Sequence, residues 1–127
     1  MNISAIFENG SIYSLQGAAK ADTIEFTPHA KFKGVALKHL VRAEQTGGLL
    51  SCHLVKVDSF CSLASHSHPD NLEIHQVISG AGEGLLAEAP VGYAAGTVTV
   101  IPKNVPHQVT AGAEPLYILA VFSPALV

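Results

Sequence analysis

Short runs rich in β-branched and aromatic residues alternate along the chain with clusters of Gly, Pro and Asn. The runs are Thr23–Phe26, Gly34–Arg42, Leu49–Val57, Phe60–His66, Leu72–Ser79, Glu83–Ala87, Thr97–Ile101, His107–Thr110 and Leu116–Phe122. Short runs at spacings of about 8–12 residues predict an all-β sandwich or barrel. Pro69-Asp70-Asn71, Gly80-Ala81-Gly82, Pro90-Val91-Gly92, Pro102-Lys103-Asn104 and Gly112 fall between them and predict turns, because they accept turn dihedrals or block continued pairing. The Gly34–Arg42 run reads two ways. Leu37, Leu40 and Val41 have helical spacing, yet Val35, Leu37, His39 and Val41 also alternate with Ala36, Lys38, Leu40 and Arg42. Alternation puts both cations on one face and predicts a strand. The first 20 residues have weak periodicity and predict an irregular arm, with a helical turn near Ala18–Ala19.

At 127 residues the chain is sized for one domain. We expect an N-terminal arm and first strand over 1–30 and a barrel over 34–123. Only 13% of residues are charged, against about 25% in an average soluble domain. A surface so thin in charge predicts partial cover by a second copy, a homodimer. The net charge of −3 gives no basic excess for a nucleic-acid backbone. Lys31, Lys33, Lys38 and Arg42 form the densest basic stretch. It reads as a solvated face, or as an attraction for an anionic partner. The longest apolar run, Leu116 to Phe122, is far shorter than the roughly 20 residues that span a bilayer. The start, Met1-Asn2-Ile3-Ser4-Ala5, shows neither a cationic nor a long apolar segment, so no secretory signal is expected. Cys52 and Cys61 lie in apolar stretches and predict buried, unreactive thiols in a reduced, cytoplasmic protein. Asn9-Gly10-Ser11 matches a glycosylation acceptor, which counts for little without a secretory signal.

The chemistry concentrates in histidine. Seven occur, at positions 29, 39, 53, 66, 68, 75 and 107. His66 and His68 are two apart and share a strand face. Pro69-Asp70-Asn71 turns the chain, and Glu73 and His75 then share a face of the next run. Two imidazoles and a carboxylate converging on one face make a metal-ligand arrangement, with His107 available as a further imidazole. The bland alternative is a set of separately satisfied polar residues around a barrel mouth.

These residues carry a family resemblance. The chain resembles the cupin superfamily, whose members are small double-stranded β-helix (jelly-roll) barrels. Their first motif, G(X)5HXH(X)3–4E(X)6G, is matched by His66-Ser67-His68, Glu73 and Gly80, with Phe60 at the leading Gly position. Their second, G(X)5PXG(X)2H(X)3N, is matched by Gly96, Pro102 and His107, with Asn104 for the middle Gly and Ala111 for the final Asn. Asn tolerates left-handed backbone, so the turn at Asn104 is expected to form. The resemblance implies that His66, His68, Glu73 and His107 ligate one divalent transition metal ion: Fe, Mn, Ni, Zn or Cu. Four protein ligands leave room for substrate or dioxygen. Imidazoles protonate in acid, so metal binding is expected to weaken below about pH 6.

His75 shares the inward face with Glu73 and Val77. It reads as a metal-site support, a substrate contact or catalytic acid/base, or a core histidine. His39 falls on the apolar face of its run and is a candidate pocket residue, and the face of His53 is open; for both the preferred reading is a satisfied structural histidine. Tyr93 and Tyr117 read as packing residues with hydroxyls reaching solvent. Gln76 and Gln108 alternate away from the ligands. No glycine-rich phosphate loop, nucleophile elbow or paired catalytic carboxylates stand out. The resulting expectation is a metal-dependent enzyme on a small organic molecule, dioxygenase chemistry first and isomerase or lyase chemistry second. A non-catalytic module that binds or senses a small ligand or metal is the alternative, and a purely structural metal is disfavoured by the open pocket.

Overall fold

A computed structural model describes residues 3–127. Met1 and Asn2, the first two residues of the N-terminal reading above, lie outside it. Helix α1 (Ile3–Asn9) is followed by β1 (Ser11–Ser14), β2 (Gly17–Lys20), a 3-10 turn (Ala21–Thr23) and β3 (Thr27–Pro28). Then come β4 (Val35–Val41), α2 (Ala43–Thr46), β5 (Ser51–Val57), β6 (Ser62–His66), β7 (Leu72–Ser79) and β8 (Ala81–Leu86). The rest is β9 (Ala89–Ala94), β10 (Val98–Ile101), β11 (His107–Ala111) and β12 (Leu116–Ser123). A six-stranded sheet in the order β10-β7-β12-β5-β4-β3 faces a four-stranded sheet in the order β6-β11-β8-β9. All pairings are antiparallel. This is the all-β double-stranded β-helix that the pattern and the resemblance predicted.

The inner faces meet in a core of Val35, Val55, Val57, Val77, Ile118 and Phe122 from the large sheet, and Leu63, Tyr93 and Val109 from the small one. Strand β12 buries every second residue from Leu116 to Phe122 on this face. Its other face is apolar too, because the large sheet carries a second layer. Leu40 and Leu54 are buried on the outer face, with Phe7, Ile12, Ile24, Phe26 and Leu119 packed against them. The N-terminal arm is therefore a cover, and the continuous apolar runs in β5 and β12 follow from burial on both sides.

Several local expectations are corrected. Ala18–Ala19 form no helical turn; they lie in β2, paired with Tyr13 and Ile12 of β1. The helix of the arm is α1. Thr23–Phe26 is not a strand: Ile24 and Phe26 pack on the outer layer without a partner, and pairing starts at Thr27. Pro90-Val91-Gly92 is no turn; it is the middle of β9, an edge strand where a missing N–H costs no ladder bond. The turn is Ala87-Glu88. Of Gly80-Ala81-Gly82, only Gly80 (φ 82) lies outside a strand. Lys38 is not solvated: it is buried, and its Nζ donates to the Ala21 carbonyl at 2.7 Å, tying the arm to the sheet. Lys31, Lys33 and Arg42 are exposed. Cys52 and Cys61 are free but only half-buried; burial still pushes the Cys52 thiol up to about 11. Among the described residues no helix is long and apolar enough to cross a membrane.

Candidate metal centre

Three strands and one turn bring the candidate residues to one end of the inner face. His66 closes β6 and stands opposite His107, which opens β11. Their rings are 4.2 Å apart. His68 lies two residues beyond the end of β6, where strand alternation no longer aims it. The turn before β11 holds it instead: the Asn104 N–H donates to the His68 carbonyl at 2.9 Å. Asn104 sits at φ 63, the left-handed conformation expected of it. Ring nitrogens of His66, His68 and His107 all fall within 4.8 Å of one another. Glu73 Oε1, from β7, lies 3.3 Å from His107 Nε2 and 3.7 Å from His68 Nε2. Ligand atoms about 2.1 Å from a shared ion are roughly 3 to 4 Å apart, so the spacing fits a single ion.

Protonation favours ligating rings at His66 and His68. The Nδ1–H of His66 donates to the Ala64 carbonyl at 2.7 Å, and that of His107 to the Val105 carbonyl at 3.0 Å. In a neutral ring this leaves the lone pair on Nε2, the ligating form. Burial is the largest influence on His66 and His68 and lowers both pKa values, favouring neutral rings. Burial opposes charge on Glu73 as well, but the imidazoles of His107 and His75 outweigh it and hold the carboxyl well below the usual carboxylate range. His107 is the converse: burial lowers it, and the Glu73 carboxylate carries it above the ordinary histidine value. Glu73 Oε1 and His107 Nε2 are buried and neither has a hydrogen-bond partner. A buried carboxylate oxygen facing a buried imidazole nitrogen at 3.3 Å is costly unless a proton on His107 or a cation between them satisfies both.

Behind Glu73 runs a short chain of hydrogen bonds. His75 Nε2 lies 2.7 Å from Glu73 Oε2, and His75 Nδ1 lies 2.8 Å from the Tyr93 hydroxyl. An ionised carboxylate only accepts, so Nε2–H donates to Glu73, and in the neutral ring Tyr93 O–H donates to Nδ1. Burial raises the Tyr93 pKa and keeps that proton in place. The Tyr93 hydroxyl thus turns inward, contrary to the expectation that it reaches solvent. The cavity at the centre measures about 40 Å³, room for a few waters. Leu37, Val55, Leu63, Phe122 and Leu126 give it apolar walls, and His29 joins them.

The model of the cupin domain matches residues 54–122, more than half of the chain. The chain belongs to the cupin family. No curated protein matches the sequence. Among solved structures, this cupin is similar to KdgF from Halomonas sp., at 22% identity and TM-score 0.71, covering 81% of this chain and 90% of that one. It is also similar to a predicted oxalate decarboxylase from Thermotoga maritima, at 21% identity and TM-score 0.73, covering 83% and 96%. Ectoine synthase from P. lautus follows at 17% identity and TM-score 0.67, covering 75% and 67%. At these identities the likeness concerns the fold.

The structure brings together the four residues of the motif reading, His66, His68, Glu73 and His107, and sets His75, which alternation placed on the inward face, against Glu73. His39 does not line the cavity. Its Nδ1 lies 2.7 Å from His53 Nδ1, and His53 Nε2 lies 2.7 Å from the Ser51 hydroxyl, a buried chain to one side. Tyr117 packs on the outer face beside Lys56. Gln108 faces away from the centre, in an outer groove. His29 was not distinguished by sequence, because nothing in the arm shows that it returns to the mouth.

Proposed function

We propose that this cupin is a metal-dependent enzyme acting on a small organic molecule, with His66, His68, Glu73 and His107 holding one divalent transition metal ion. The observation that carries the reading is the pair of orphaned buried atoms, Glu73 Oε1 and His107 Nε2, beside two imidazoles free to ligate. Bound there, the metal would supply Lewis acidity and open positions for substrate and dioxygen. His66 and His107 present Nε2 because backbone carbonyls hold their Nδ1 protons. His75 acts as a positioning residue: with one nitrogen on Glu73 and the other on Tyr93, it fixes the carboxylate and keeps it ionised.

Dioxygenase chemistry is the preferred class. An isomerase or lyase would have to draw its base from somewhere other than His75, which commits both nitrogens within the protein. Glu73 is the sole carboxylate among the described cavity residues. The enzyme names carried by two fold neighbours, a predicted oxalate decarboxylase and an ectoine synthase, support turnover over storage. The test is oxygen uptake by iron-loaded protein against a panel of small organic acids, ketones and diols. Substrate-dependent uptake, abolished in Glu73→Ala, is expected. Tight metal and ligand binding with no turnover would instead establish a binding module.

A further inference from the structure

His29 is held in one tautomer. Its Nδ1 accepts the backbone N–H of Lys31 at 3.0 Å and of Phe32 at 3.3 Å. A ring nitrogen that accepts N–H groups carries no proton, so in the neutral ring the proton sits on Nε2. The ring is also held in place. It stacks on Phe32 at 4.5 Å with 24° between planes, and Phe32 lies 5.3 Å from the His66 ring. The Nδ1 edge faces its own loop, which leaves the Nε2 edge for the cavity wall that His29 forms with His66 and His68. No described residue accepts a hydrogen bond from Nε2. Of the neighbouring imidazoles, His66 and His107 spend Nδ1 on carbonyls, His75 spends both nitrogens, and His68 turns Nε2 toward Glu73 at 3.7 Å. Apart from these imidazoles and the Glu73 carboxylate, the wall is apolar.

An uncommitted donor of fixed tautomer, next to a cation site and with Lys31 beside it, suits an anionic oxygen. A cavity of about 40 Å³ admits only a few heavy atoms before the mouth must move. We propose that His29 is a ligand-binding residue of this centre, its Nε2–H donating to an oxygen of a small carboxylate and setting the preference for that class. The proposal rests on the metal-centre reading above.

The test uses the full chain loaded with Co(II), with acetate titrated against the cobalt absorption bands and acetamide and methylammonium as controls. His29→Phe keeps a ring and removes the donor; His29→Gln keeps a donor. A hydrogen bond to a charged group predicts roughly 10- to 100-fold weaker acetate binding in His29→Phe, with cobalt affinity unchanged. His29→Gln is expected to recover most of it, and the two controls to bind far more weakly than acetate. Equal acetate affinity in His29→Phe, or no acetate binding to the cobalt-loaded wild type, overturns the role. If the wild type takes up no cobalt, the metal reading fails separately. Acetate is then added to metal-free protein while the His29 Nε2 resonance is followed by 15N NMR: a saturable shift upholds the role and a static signal overturns it.

Discussion

His53 is the most buried imidazole of the chain, with no exposed surface. It sits between His39 and Ser51, 2.7 Å from each. Burial, then the charge of His39, pushes its pKa down from 6.5 to about 4, against a small opposing pull from Glu73. A depressed folded pKa means the unfolded chain binds the proton more readily. The contribution is therefore complete above about pH 6.5 and is lost as pH falls toward 4, amounting to roughly 3 kcal/mol at most. Denaturant titrations of metal-free wild type and His53→Asn, run from pH 7 to pH 4, check this. The variant, although less stable at pH 7, is expected to lose less stability over the interval; parallel curves would contradict it. Legibility at this scale depended on locality. His66 and His68 were readable because a known motif places them, although the strand ends at His66 and a turn contact to Asn104, not two-residue alternation, holds His68. The His39–His53 pair was not, because it depends on the register that sets His39 opposite His53. His29 was hidden because its tautomer is set by a loop that has no periodic pattern.

At the scale of elements, the strands of the barrel were legible from their apolar runs, and the misreadings have a common cause. Pro, Gly and Ala favour turns or helix by intrinsic preference, while edge position and packing decide. Pro90 and Gly92 pair within an edge strand, and Ala18–Ala19 complete a hairpin. The arm was obscure because its partners, Leu40 and Leu54, lie far along the chain. The turns themselves carry strain that can be tested. Phe60, at a family glycine position, has φ 58 and an exposed side chain. Phe60→Gly is expected to stabilise the protein by about 1 kcal/mol, since left-handed backbone costs roughly 1–2 kcal/mol for an ordinary residue. Gly80 is the opposite case: at φ 82, an added Cβ would stand 2.2 Å from the Pro115 carbonyl oxygen. Gly80→Ala is expected to lower the melting temperature by several degrees, and a thermal scan showing the two substitutions shifting in the same direction would refute this account of the turns.

For the whole molecule, the arm covers one half of the outer face of the large sheet. The β10 side is left bare, with Val98 59%, Val100 54% and Leu72 40% exposed. Together with the low charge of the chain, this keeps the homodimer as the expected state, and light scattering coupled to size exclusion checks it: a mass of two chains is predicted, and a monomer at micromolar concentration would contradict it. The central claim concerns the metal. Protein prepared without a metal-binding tag is analysed by mass spectrometry for metal content, alongside His107→Ala. The account predicts near-stoichiometric iron, manganese, nickel, zinc or copper in the wild type, and loss of most of it in the variant. A metal-free wild type that gains no stability when these ions are added back would contradict it.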